Sequence, residues 1–312
     1  MEYEQTPRNK VNRLAKRAVY DYETVHRIID SSPILHVGFN PVDDPEGFPT
    51  VLPMLGCTAA YIADDDTQAD DAPAPAPNTT SVESESSADP TATVPGGWDT
   101  PEDDTSTSTS DPSEPVYPAD AHDDPAGPRS IYLHGWVSTR LLRSSGGTRV
   151  CISAAHVDGA VLALAPFHHS ANYRSAVAYG HASRVTDPRE RAFALRRITD
   201  NFARGRWAHA RGPPTGAELA ATGVLRVDVE SASAKVRVGG PSDDRADLAD
   251  ERLVRETWTG VVPMYLAYGA PVPAPQNRVG EVPGYIERWR AERNAEAERY
   301  AVWAASAGEN KK

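Results

Sequence analysis

The chain has 312 residues, 39% of them hydrophobic, and a formal net charge of -12. This composition suits a soluble globular protein, and its scattered positive charges exclude the basic stripe that nucleic acid requires of a main partner. Cys57 and Cys151 stand far apart outside any CxxC spacing, so neither a disulfide framework nor a thiolate zinc site follows. The opening residues are charged and lack an apolar core, and nowhere is there an apolar run long enough to span a bilayer, so a cytoplasmic location is expected.

From Arg13 to Asp30 apolar residues recur every three or four positions, which predicts a helix, with Asp21 able to cap a second segment within it. Ile34 to Phe39 and Thr50 to Met54 read as a hairpin around the turn-rich PVDDPEGFP. Asp, Pro, Ala, Ser, Thr and Glu then dominate from about Asp64 to Pro128. Such a tract buries too little apolar surface to offset a chain entropy of about 1–2 kcal/mol per residue, so it is expected to be disordered. Strands resume at Ser130 to Ser138, Thr148 to Ala154, Ala160 to Ala165 and Ser175 to Val185, with turn signals at Gly146-Gly147 and Asp158-Gly159. Asp187-Pro188 opens a helix that ends near Gly205, and Gly212-Pro213-Pro214 with Glu218 downstream reads as a rigid turn before a helix. Val224 to Val238 and Trp258 to Ala267 are strand-like, and Gly284 to about Ala305 is helical. Many short strands with few helices favour a mainly β, closed or half-closed barrel over a doubly wound sheet. The expected organisation is an N-terminal helix and first strands (1–63), an acidic insertion (64–128), the rest of the barrel (129–270) and a helical extension (271–312).

Three clusters offer chemistry. In SIYLHGWVSTR, alternation puts His134, Trp136 and Ser138 on one strand face, and Arg140 follows where the strand gives way to a turn. Ser138 and Arg140 together make a phosphate clamp, or the arginine is simply solvated on a surface strand. In FHHSANYRS, neighbouring His168 and His169 point in different directions and no third ligand stands at a recognised spacing, so no metal is expected. Asn172, Arg174 and Ser175 offer donors for a polar ligand edge and Tyr173 a ring to cover it; the same residues serve equally as a hydrogen-bonded loop packing the barrel mouth. Lys235 and Arg237 share a strand face with Ser231 and Ser233, where they neutralise an anion or protect an edge strand from aggregation.

The runs ILHVGF with TVLPM, IYLHGWVSTRLL, FHHSANYRS, the GPP-x₃-EL stretch, VLRVDVESASAKVR and WTGVVPM resemble the flavin-nucleotide-binding, nitroimidazole-resistance-like branch of the pyridoxamine 5′-phosphate oxidase-like superfamily. The resemblance spans Arg13 to Leu266 apart from the insertion. It implies an FMN-binding split β-barrel that works as a homodimer with two FMN molecules in grooves between the subunits. On this basis His134, Ser138 and Arg140 line the phosphate and ribityl end. His169, Asn172, Tyr173, Arg174 and Ser175 lie beside the flavin or the dimer seam, and Lys235, Arg237 and Trp258 approach the same groove. His134 or His169 is then the catalytic proton donor of an oxidoreductase that passes electrons from NAD(P)H to a small-molecule acceptor. The alternative is a flavin or haem binding protein without turnover, since related split barrels hold haem in similar grooves. The RxVLLK-type phosphate strand of true pyridoxamine phosphate oxidases is absent, which argues against that substrate, and the acidic insertion replaces a normally tight hairpin.

Overall fold

The first helix shows how local sequence sets the frame. Asp21 accepts a 2.7 Å hydrogen bond from the Thr24 amide, and from this cap Val25, Ile28 and Ile29 form one apolar face, each at most 1% exposed. In the computed structural model, residues 1–62, 124–143 and 147–308 are described. The acidic tract therefore lies almost wholly outside them. Met1–Tyr61 and His122–Lys312 form one compact unit.

The chain runs β1 (Ala18–Val19), α1 (Tyr22–Ser31), β2 (Leu35–Phe39), β3 (Thr50–Ala59), β4 (Ser130–Trp136), α2 (Arg140–Arg143), β5 (Thr148–Leu162), β6 (Ser170–Arg184), α3 (Pro188–Phe202), α4 (Gly216–Ala221), β7 (Thr222–Arg237), α5 (Arg245–Ala249), α6 (Glu251–Glu256), β8 (Gly260–Pro263) and α7 (Gly284–Ser306). Six antiparallel strands close into a barrel in the order β7-β4-β3-β2-β5-β6, with β6 returning to β7. This is the expected β-barrel with flanking helices. Closure leaves no free edge on the ring, while β1 and β8 extend it on β7 and β5.

Alternation sends Leu35, Val37 and Phe39 of β2, Ile131 and Leu133 of β4, and Leu225 and Val227 of β7 inward, where they meet α1. The inward positions of β6 are Ala176, Ala178 and Ala182, small enough to admit the isoleucines of the helix. Burying each isoleucine contributes about 1.5–3 kcal/mol. A second cluster lies outside the barrel, where α3 lays Ala194 and Ile198 over Cys57, Tyr132 and Val224. There the Tyr132 hydroxyl donates to Glu190 at 2.8 Å, and Glu190 also pairs with Arg226. Thr215 and Glu218 form the capping box that starts α4.

Three predicted elements differ. The helix expected from Arg13 begins only at Tyr22, because Leu14 takes a left-handed conformation (φ 56°) and the backbone of Ala18 and Val19 pairs with Lys235 and Ala234. The strands expected on either side of Asp158-Gly159 are one strand, β5, carrying a bulge between Val157 and Gly159. Gly159 is required there by close approach: a Cβ would stand 2.7 Å from a Val261 methyl of β8. The last predicted strand, Trp258 to Ala267, shortens to β8, whose final residue Pro263 has no amide to pair. Among the described residues, no helix is long and apolar enough to cross a membrane.

Candidate functional site

The residues singled out in the sequence fall into two groups at opposite ends of β7. His134 pairs with Val224 near its start, whereas Tyr173 pairs with Arg237 at its end, so the groups stand about 40 Å apart along the strand.

At the first end, the alternation that buries Leu133 turns His134 to the barrel's outer face opposite Leu55. Burial holds the His134 imidazole below its usual pKa, so it is neutral. The neighbouring outer face is apolar yet uncovered: Val51 is 59% and Trp136 63% exposed, and Pro53 is exposed between them and His36. The turn after β4 closes this strip with Ser138, Arg140 and Arg143. Arg140 donates to Asp43 Oδ1 from Nη2 at 2.7 Å and from Nε at 3.2 Å, and Arg143 lies 3.9 Å from the other oxygen. Those hydrogen bonds hold the Asp43 carboxyl below its ordinary pKa. The result is an exposed apolar strip followed along the chain by a turn carrying exposed Ser138 and two guanidinium groups held at Asp43.

At the second end, most of the polar groups are engaged within the chain. Asn172 is fully buried; its Nδ2 donates to the Ala304 carbonyl of α7 at 3.0 Å, and its Oδ1 accepts from Arg237. Arg237, 3% exposed, also donates to the Gly239 and Gly240 carbonyls. Arg174 makes a two-oxygen contact with buried Asp158, the closest at 2.9 Å, and lies 3.8 Å over the Tyr300 ring. The Ser175 hydroxyl donates to the Lys235 carbonyl at 3.3 Å. These contacts fasten α7 to the barrel, the packing alternative that the motif left open. His169 accepts from the Ala163 amide at 3.0 Å, while His168 turns the other way to Asp244 at 3.3 Å. Lys235 is half-buried, and Trp258 is 67% exposed, its ring over Gly260.

A groove of about 560 Å³ crosses β2, β5 and β6 on the outer face, and sequence reasoning missed it. Gly38, Cys151, Tyr179 and His181 line it, with Arg8, Arg149 and Glu230 at its sides. The alternation of Arg149 with Cys151 and of Tyr179 with His181 on paired strands was a readable signal. What brings Glu230 and Arg8 to them is tertiary.

The sequence profile of the pyridoxamine 5′-phosphate oxidase family matches residues 123–236. No curated protein matches the chain. Among solved structures, the flavocytochrome Anf3 from Azotobacter vinelandii is 24% identical, aligned over 91% of this chain and 97% of that one, with a TM-score of 0.61. An FAD and haem binding protein from Mycobacterium smegmatis is 22% identical over 88% and 97%, with a TM-score of 0.58. At these identities the likeness establishes the fold. The closed barrel and the profile match agree, and the HG-x-x-S-x-R run at the end of β4 lies within the matched residues: 123–236 are similar to the pyridoxamine 5′-phosphate oxidase family and are carried on a split-barrel fold.

Proposed function

We propose that this protein is a cytoplasmic homodimeric flavoprotein, an oxidoreductase that takes electrons from NAD(P)H and gives them to a small acceptor. The observation that carries the reading is the uncovered apolar strip of Val51, Pro53 and Trp136 ending at Ser138, Arg140 and Arg143. A flavin nucleotide has the same division, a flat apolar ring system and a phosphate. The residues fit it: the strip would take the ring, and Arg140, exchanging Asp43 for the phosphate, would hold it with Ser138 as a further donor. When bound, the flavin supplies the hydride and electron chemistry. The protein's part is to hold the phosphate, keep water from the ring and present neutral His134 to the substrate as the proton-exchanging group. A second copy covers the strip, and His169, Tyr173, Lys235 and Trp258 of the distal end reach the partner's flavin. FMN is the smallest nucleotide that supplies both features. FAD, which the mycobacterial neighbour's description names, adds an adenylate.

The test is the absorbance spectrum of the purified protein before and after adding FMN, with chromatography of the released cofactor. Flavin bands saturating at one per subunit, lost in Arg140→Ser, support the site; a spectrum indifferent to FMN and FAD overturns it. Steady-state NADH and NADPH oxidation with quinone and nitroaromatic acceptors then tests the activity, and absence of turnover with all of them leaves a flavin carrier.

A second reading adds haem. The groove across β2, β5 and β6 favours it, since it adjoins the flavin strip where Gly38 pairs with Val51, is within the size range of cofactor pockets and contains an imidazole beside cationic side chains. Haem binding is described for the mycobacterial neighbour.

A further inference from the structure

We propose that His181 is the axial iron ligand of a haem in the groove across β2, β5 and β6, and that Glu230 is the residue that orients it. The assignment rests on the haem reading above and adds the ligand and its support.

The argument begins with the backbone. Where β6 meets β7, Tyr179 pairs with Ser231 and Gly180 with Val229, so Glu230 is the extra residue of a β-bulge. A bulge re-aims the side chain it carries, and here Glu230 reaches across the strands to His181: its Oε1 lies 2.9 Å from His181 Nδ1. The close approach that makes this possible needs glycine at position 180, because a Cβ there would stand 2.2 Å from the Asp228 carbonyl oxygen. Arg8 Nη1 holds the other carboxylate oxygen at 3.0 Å, so the carboxylate is fixed from both sides.

The chemistry of the pair follows. An ionised carboxylate only accepts, so the imidazole proton sits on Nδ1 and the lone pair on Nε2. A histidine that ligates a metal through one nitrogen characteristically donates from the other to a carboxylate or carbonyl, which fixes the ring and raises its basicity. His181 has that arrangement and lines the groove. Rival ligands are weaker. The Cys151 thiol and the Tyr179 hydroxyl are hydrogen-bonded to each other. His26 has both ring nitrogens engaged, with the Tyr3 hydroxyl and the Pro125 carbonyl. His156 Nε2 lies 3.1 Å from the Ser31 hydroxyl. Arg149, exposed at the rim, and Arg8 supply positive charge for the two propionates.

The experiment is titration of the full-length protein with haemin, reading the Soret band and the flavin absorbance of the same samples. The parent protein binds haemin at one per subunit. His181→Ala loses the ligated spectrum, added imidazole restores it, and retained flavin absorbance shows that the barrel is folded. Glu230→Gln keeps histidine ligation, weakens haem binding about 10–100-fold and raises the iron midpoint potential, as loss of a charged partner on the imidazole requires. His134→Ala and His169→Ala leave the haem spectrum unchanged. A parent that shows no Soret band overturns the haem reading and this assignment together. A parent that binds haem while His181→Ala binds it with the same spectrum and affinity overturns the assignment alone.

Discussion

Replacing Arg174 by methionine separates the two roles its motif offers. The guanidinium is 12% exposed and the Asp158 carboxylate 4% exposed, so the ion pair lies beneath α7, shielded from solvent. Removing one partner leaves the other charge buried, which costs about 3–5 kcal/mol, and the stacking contact with Tyr300 is lost as well, about 0.5–2 kcal/mol. Arg174→Met is therefore expected to lower the free energy of unfolding by about 3–5 kcal/mol, the terms not being additive, with the docking of α7 as the first casualty. Arg174→Met combined with Asp158→Leu removes the orphaned charge and recovers at least about 1 kcal/mol of the loss. Urea unfolding followed by tryptophan fluorescence, with hydrogen exchange over residues 284–306, gives both quantities. Flavin stoichiometry measured on folded Arg174→Met stays at the parent value, whereas in Arg140→Ser it falls. A single variant within about 1 kcal/mol of the parent, or a double variant that merely adds two losses, refutes the buried-clamp reasoning. Loss of flavin from a stable Arg174→Met returns Arg174 to the cofactor.

Two further outcomes rest on titrating groups. Burial raises the Asp30 carboxyl from its ordinary 3.8 to about 6, against the lowering effect of hydrogen bonds from Thr58 and of Arg129. A folded-state pKa above the unfolded one means that the folded protein binds the extra proton, so this group's contribution to stability falls as pH rises from about 4 to about 6, by at most about 3 kcal/mol. In Asp30→Asn that part of the pH dependence is flattened in unfolding curves collected across this range, and an unchanged slope counts against the shift. Burial also raises the pKa of the Cys151 thiol, so alkylation by iodoacetamide at pH 7 is slower than for a free thiol and accelerates as the pH rises towards 10. Alkylation of Cys151 at pH 7 as fast as that of a free thiol contradicts this.

How much of this was legible in the sequence depends on the range over which each feature is determined. Period-two alternation is local, and it located β2, β3, β4, β6 and β7 and put His134 and Trp136 on one face of β4, the face the barrel turns outward while Leu133 points inward. The Asp21 cap is likewise local and stands where the sequence put it, and the helix expected after Gly212-Pro213-Pro214 does follow, opened by a Thr215–Glu218 capping box. Asp158-Gly159 shows where locality ends. The dipeptide carries a turn signal, yet β6 and β8 pair on either side of it, so the backbone continues through a bulge and the aspartate turns inward to Arg174. The same limit applies to the FHHSANYRS run. Its donors were visible, but whether they faced a ligand or the chain's own carbonyls was decided by α7, more than a hundred residues away. His181 and Glu230 belong to that class too. No spacing relates them, because the distance between them is set by the bulge that adds one residue to β7, and a ligand built in this way is found by following strand register rather than motif.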